Sequence, residues 1–481
     1  MKNFKIIFYS LIISISVISC DEKELDLAPI SQLTTGNFYS SAIQIEQALT
    51  GAYSELDDLY DIQMIRAAIW RGDNSSQTEG YANNLELNIS QYNENAGSEV
   101  STDIWNTCYA IISRTNLVIS KSEEIDYAEK TAHLSEARFL RALMYFELAR
   151  HFGDVPMVIK PVGLEESFTI GRTPVAEVYS FVTSEFEALA NASSGLSTKQ
   201  NNKGRPTIYS ALGMAAKAYM AQGNYTSSKP HLKSIIDSGL FSMQANYADI
   251  FMESNDNGPH VVFSIQYDGS IPGLGNQQPQ QVPKMAAEIP FQGVTRKQIA
   301  SDDLYDSYEA GDIRRDLTIQ NGYTSTEDGV FVEDVRFWNK FAINNTPVQM
   351  YQWGVDINLI RYTDVKMRYA EILNSEGYPN AEAFDILNEV RTRAGLPSLT
   401  SSDITSQSAF LDAIINERRY EFAGESNRWW DLLRTGKDQA VLSAFALPAY
   451  PYKIEKRLFG IPEAEILKVN DPSILPQNPG Y

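Results

Sequence analysis

Apolar residues return at helical spacing between residues 42 and 59, at Ile45, Leu49, Ala52, Tyr53 and Leu56, and predict a first helix capped by Asn37 or Ser40. The same period predicts a helix over 101–121. It predicts the clearest one over 129–152, where Leu134, Ala137, Leu140, Met144 and Leu148 line one stripe. Gly153, Asp154 and Pro156 stop that helix. Val178, Phe181, Val182 and Phe186 continue the pattern over 174–190, with Pro174 suited to a first turn. Two helix–turn–helix units follow. In 206–239, Ala211, Ala215, Ala218 and Tyr219 precede a turn at residues 222–225, and Leu232, Ile235 and Ile236 follow it. In 368–395, Tyr369, Ile372 and Leu373 precede a turn at 376–379, and Phe384, Leu387 and Val390 follow it. Units of this length resemble loose tetratricopeptide repeats, which build scaffolds by stacking.

Between these units the texture changes. Residues 71–100 lose the period, fill with Asn, Ser, Glu and Gly, and read as one long loop. Residues 260–266 (HVVFSIQ) read as a short strand. Residues 268–293 are dense in Gly, Pro and Gln, and 320–356 are irregular but aromatic, so long loops with a few short strands are expected there. Prolines at 448, 451, 462, 472, 476 and 479 predict a tail without a long helix.

The N-terminus changes the picture. Lys2 and Lys5 precede an apolar run over 6–18, shorter than the roughly 20 residues of a spanning helix. Its length and flanks are those of a secretory signal. It ends Val17-Ile18-Ser19-Cys20, which resembles a bacterial lipobox; residues 1–19 would be removed and Cys20 would carry the lipid. Acidic and polar residues over 20–35 read as a tether. The net charge of −21 argues against nucleic acid as the main partner. With Cys20 acylated, the other cysteine, Cys108, has no partner and reads as a buried small residue.

Catalytic patterns are missing. The four histidines, at 133, 151, 231 and 260, have no metal-ligand spacing. Gly273-x-Gly275 lacks the third glycine of a dinucleotide loop. Residues 253–258 (ESNDNG) are only faintly like a calcium loop, since Ser264 stands at the twelfth position. Two carboxylates suffice for glycosidase chemistry, but no acid stands out from its surroundings. Neither a metal nor a cofactor is expected, and no enzyme activity. The aromatics say more, because sugar rings stack their C–H faces on Trp and Tyr while Asn, Asp and Gln bond the hydroxyls. Trp105, Trp429 and Trp430 fall in helical blocks and read as structural. Trp70 before the 71–100 loop, Tyr81 and Tyr92 inside it, and Trp338, Tyr351 and Trp353 in the irregular region are the ligand-contact expectations.

Residues 416–437 (NERRYEFAGESNRWWDLLRTGK) can bury Ile414, Tyr420, Phe422 and Trp430 alongside. Arg418, Arg419, Glu421 and Glu425 are then expected to pair locally at helical spacing, with Arg428 stacked on an aromatic face. With 361–365 (RYTDV), 388–396 (NEVRTRAGL), 136–156 (EARFLRALMYFELARHFGDVP), 460–466 and 477–481 (QNPGY), this block resembles the SusD/RagB family over nearly the whole mature chain. The resemblance implies a mainly α SusD-like scaffold of four tetratricopeptide-like helix pairs, with long ligand-binding loops and a few short strands. It implies one domain over 36–481, with helix pairs in roughly 40–240 and 360–436 and a loop-rich region in roughly 255–356. It further implies a non-catalytic outer-membrane lipoprotein, exposed at the cell surface, that binds oligosaccharide and delivers it to a SusC-type TonB-dependent transporter. Peptide capture by the same architecture is the alternative, and a scaffold that binds only proteins is a third reading. The acidic 21–24 run after Cys20 resembles a surface-export signal.

Overall fold

The computed structural model of the chain describes residues 38–77, 84–198, 204–277, 298–341 and 353–481. Ten helices carry the frame: α1 (Ala42–Asp58), α2 (Glu99–Glu123), α3 (Lys130–Phe152), α4 (Val175–Leu189), α5 (Ile208–Ala221), α6 (Tyr225–Asp237), α7 (Tyr362–Glu376), α8 (Ala381–Arg393), α9 (Gln407–Glu421) and α10 (Arg428–Arg434). The cap of α1 is Ser41, whose hydroxyl accepts from Gln44 N at 3.4 Å. Its stripe buries Ile45, Leu49, Ala52 and Leu56. Beyond Asp58 the helix widens into two π-helical segments, Leu59–Gln63 and Ile65–Ile69, and delivers the chain to Trp70. α3 is buried on several faces and ends at Gly153, whose φ of +73° is open to glycine. Thr207 and Ser210 form a reciprocal capping box at the start of α5. Pro174 sits just before α4, while the Asp154 carboxylate accepts from Val175 N at 2.7 Å.

Each helix packs on the next in chain order from α1 to α6; α7 then packs on α6, and α8 and α9 pack on α7. The array is therefore interrupted, not ended, by residues 238–361, and the helix pairs expected from periodicity are present. α7 starts at Tyr362, earlier than its apolar stripe indicates, directly after a strand. The main cluster of buried apolar side chains runs from Ile45 to Leu475. At its centre Phe139 of α3 meets Phe186 of α4 and Phe263 edge-on, with ring centroids 5.3 and 5.0 Å apart. Such pairs contribute about 0.5–1.5 kcal/mol each beyond their buried area. Cys108 is fully buried in α2, and burial pushes its thiol well up. Among the described residues no helix is long and apolar enough to cross a membrane.

The strands are β1 (Ser75–Gln77), β2 (Val155–Pro156), β3 (Arg172–Thr173), β4 (Val261–Ile265), β5 (Gln298–Ala300), β6 (Ile319–Thr324), β7 (Phe331–Trp338) and β8 (Ile357–Arg361). They form an antiparallel sheet in the order β1-β5-β7-β6 and the pairs β2–β3 and β4–β8. β4 is buried at every position because it lies between the frame and β8. Gly213 of α5 permits this: a Cβ there would lie 2.7 Å from Ile360 Cδ1 of β8. One loop expectation needs correction: residues 71–100 contain β1 and the helix Asn84–Ser90. The short strands expected in 320–356 include a hairpin that takes up most of 319–338. Gly322 makes that hairpin possible, with φ +78° and the Phe331 ring where a Cβ would sit.

In the 416–437 block Arg418, Arg419, Glu421 and Glu425 do not pair with one another at helical spacing. Arg314 meets Asp312 and Glu417 at 2.7 Å each and Glu421 at 3.4 Å. Arg361 meets Glu421 at 3.0 Å and Glu425 at 2.7 Å, and Lys340 meets Glu425 at 2.7 Å. Arg418 pairs with Asp364 and Asp431, and Arg419 with Asp303 and Asp73. Arg428 forks onto Asp73 at 2.8 and 2.9 Å instead of stacking. The stacked guanidinium beside Trp429 is that of Arg71, held 4.3 Å from both Trp429 and Phe459. These pairs join α9 and the turn after it to the loop-rich region.

Candidate functional site

The loop-rich region is rooted at two places, the four-stranded sheet and the isolated Asn276–Trp353 bridge. Gln77 pairs with Gln298, so the chain leaves β1 beside the point where it enters β5. Asn276 and Trp353 exchange backbone hydrogen bonds of 2.8 and 3.2 Å, so residues 277 and 353 also stand side by side. Segments 78–83, 278–297 and 342–352 thus start or end at two neighbouring-strand pairings. Two of the aromatic expectations, Tyr81 and Tyr351, belong to these segments, and both lie outside the described residues. Cys20 does also.

The roots are held by polar groups. The Asn276 amide donates to Val355 O at 2.9 Å, and Gln277 N donates to Asp61 at 2.9 Å. Asp356 accepts from Gln266 at 2.5 Å, from Tyr267 N at 3.1 Å and from Asn257 at 3.2 Å. Tyr267 in turn donates its hydroxyl to Asp57 O at 2.8 Å. Burial, then the Asp58 and Asp356 carboxylates, push the Asp57 carboxyl up to about 7. Sequence reasoning missed Asp57, Asp61, Asn276 and Asp356. The only local signal was the Asp57-Asp58 doublet one turn before Asp61, on a helix end otherwise facing the core.

Four aromatic expectations are placed, and none presents an open ring. Trp70 is 4% exposed and ends the π-helical run, with Arg66 over its ring at 5.7 Å. Tyr92 is buried at φ +53°, donates to Arg71 O at 2.8 Å and packs edge-on against Tyr452. Trp338 is buried at the end of β7, with its ring against Gly424. Trp353 is 1% exposed within the bridge. Burial gives these rings a packing role at the roots, because a stacking platform must leave one face free. Trp105 and Trp429 are core as expected, and Trp430 is half-buried. A small cavity of about 50 Å³ lies beside β8 between Tyr60, Met64, Phe251, Phe341, Glu425 and Asn427. It is far below the ~300 Å³ of a typical ligand pocket.

Among the described residues no three His, Cys, Asp or Glu side chains are grouped to hold a metal ion. Burial pushes His151 well below the usual imidazole range and His260 to about 4, so neither is an accessible base.

Comparison with known proteins gives a consistent set of likenesses. Residues 190–481 match the sequence profile of the SusD family, and residues 25–220 a profile described as starch-binding, associating with the outer membrane. "SusD-like protein P25" of Formosa agariphila is 28% identical, covering 91% of this chain and 90% of that one. A SusD superfamily protein from Parabacteroides distasonis has a TM-score of 0.79 at 21% identity, covering 94% of this chain and all of that one. Surface glycan-binding protein A from Bacteroides thetaiotaomicron, solved in complex with laminarihexaose, has a TM-score of 0.75 at 20% identity, covering 91% and 99%. At these identities the structural likeness is one of fold.

Proposed function

The chain belongs to the SusD family, and we propose that it is a non-catalytic lipoprotein that captures oligosaccharide at the cell surface and delivers it to a SusC-type TonB-dependent transporter. One observation carries the reading. Gln77, which precedes the Tyr81 segment, pairs with Gln298, and Asn276, which precedes the Gln-rich 277–281 run, pairs with Trp353, which follows Tyr351. A sugar-binding surface needs aromatic rings and amides carried on a firmly held base, and the paired residues that flank these segments supply such a base. Laminarihexaose in a neighbour of the same fold supports a glucan as the first ligand to try. Tyr81 and Tyr351 are the proposed stacking contacts, while the buried Trp70, Tyr92, Trp338 and Trp353 are given packing roles. Residues 1–19 are the proposed export signal, Cys20 the lipid-bearing residue, and 20–35 a tether to the outer membrane.

Affinity electrophoresis tests the capture step. Migration of the native chain should slow in gels containing laminarin or starch and not in gels without polysaccharide. Unchanged mobility across a broad glycan panel, with calorimetric binding to peptides instead, would replace this reading with peptide capture.

A further inference from the structure

A second cavity, of about 280 Å³, adjoins the first at Arg150, Lys217 and Asn427 and opens between the helices. Five helices converge on it: α3 supplies Arg150, α4 Tyr179, α5 Lys217, α7 Arg368, and α10 Trp430 and Arg434. Its wall holds four cationic side chains and no carboxylate, in a chain of net charge −21. Cations that face a cavity and lack a counter-ion are costly to desolvate, so the carboxylates behind them matter.

Three of the cations are backed by acids. Arg150 meets Glu147 at 2.5 Å and lies 4.3 Å from the Trp430 ring. Arg434 pairs with Asp431 at 2.7 Å and with Glu371. Arg368 gives its Nε to Asp364 at 2.8 Å, whereas its Nη1 meets only the Met220 sulfur, at 3.9 Å. Lys217 is different. Its one hydrogen bond among the described residues goes to Leu359 O at 2.9 Å, and it forms no ion pair with them. Burial pushes its ammonium down to about 8, aided by Arg368 and Arg150 and opposed by the nearby Asp364 and Glu147 carboxylates. Counting Arg418, which shares Asp364 and Asp431, five cations face four carboxylates, Glu147, Asp364, Glu371 and Asp431. The cluster therefore carries one positive charge without a partner.

We propose that this cavity is a second binding site, for a small aromatic monocarboxylate. Its carboxylate is held by Lys217 and the Nη1 edge of Arg368, and its ring lies against Trp430 and Tyr179. A single negative charge matches the surplus, and the aromatic and aliphatic remainder of the wall suits a flat apolar body better than a hydrated inorganic ion. The site uses none of the residues that root the loop-rich region, so it stands whichever ligand binds there.

Isothermal titration calorimetry of the purified chain with 2-naphthoate tests it, with neutral 2-naphthamide and inorganic phosphate as comparison probes. Saturable 2-naphthoate binding is expected, about tenfold or more tighter than 2-naphthamide, because a charge-assisted bond is lost in the amide. Phosphate at equal concentration should not displace it. Lys217→Met should weaken 2-naphthoate binding about tenfold, and Lys217→Arg should retain it. In the wild type, affinity should fall as pH rises through about 8, where the Lys217 ammonium loses its charge. Lys217→Arg should abolish that fall, because Arg150, Arg368 and Arg434 stay charged throughout and burial pushes the Tyr179 phenol up. Equal affinity for naphthoate and naphthamide, displacement by phosphate, no saturable binding at millimolar probe, or an unchanged Lys217→Met would each overturn the assignment. If Lys217→Met does not fold, the wild-type pH profile decides.

Discussion

Glu421→Gln tests whether the buried ion network holds the loop-rich region to the helix array. Glu421 is 0% exposed and meets Arg393 at 2.6 Å, Arg361 at 3.0 Å and Arg314 at 3.4 Å. Burial alone would push its carboxyl up, but the guanidiniums of Arg393, Arg361 and Arg314 outweigh that and hold it well below the usual carboxylate range. The amide keeps the shape and removes the charge, so three buried arginines lose a shared partner. Breaking a buried pair in this way costs about 3–5 kcal/mol. With unfolding entropy near 2.1 cal/mol/K per residue, a chain of this length should lose about 3–5 °C in Tm at pH 7. The pH dependence has a definite sign. A folded-state pKa held low contributes stability that is complete above the unfolded value and lost as pH falls towards the folded one. The gap between wild type and Glu421→Gln should therefore narrow between about pH 5 and pH 3. Differential scanning calorimetry across that range measures both. A Tm within about 1 °C of wild type at pH 7, or a gap that stays constant down to pH 3, would refute the energetic role given to the network.

Trp353→Ala should cost about 3–5 kcal/mol of stability through the cavity it leaves, read by urea denaturation. Full stability with selective loss of ligand binding would instead make Trp353 a contact. Tyr81→Ala and Tyr351→Ala should each weaken glycan binding by about 1–3 kcal/mol, the range known for aromatic stacking on nucleobases, with melting curves unchanged; unchanged affinity for both would remove them from the site. Cys20→Ala should release the protein from the outer-membrane fraction of fractionated cells, and retention there would contradict the lipid anchor.

Helix pairs were legible because burial of one face repeats every 3.6 residues, and Ile45 to Leu56 or Phe384 to Val390 carry that repeat within a dozen residues. Partners far apart in sequence leave no such mark. Ser75 pairs with Ala300, so 71–100 looked like loop although it supplies a strand. Arg418 and Glu425 sit where helical i,i+4 neighbours would be natural, yet their partners are Asp364, Asp431, Arg361 and Lys340. Arg428 adjoins two tryptophans in sequence, but the Asp73 fork takes its guanidinium. The site was harder for the same reason. An aromatic in a segment without periodicity offers no sign of whether its ring is covered, and Trp338 and Trp353 are covered by strand and bridge pairings that only the fold creates. The exposed apolar residues that the hairpin does present, Val330 and Phe331, lie at a turn where no stripe could form.

The most direct test of oligosaccharide capture is calorimetry of the purified native chain against a panel of glycan oligosaccharides and a panel of peptides, with reducing ends assayed in the same samples. Saturable binding to at least one oligosaccharide, no new reducing ends and no peptide binding is the expected result. Binding to peptides and to no glycan, or release of reducing ends, would contradict it.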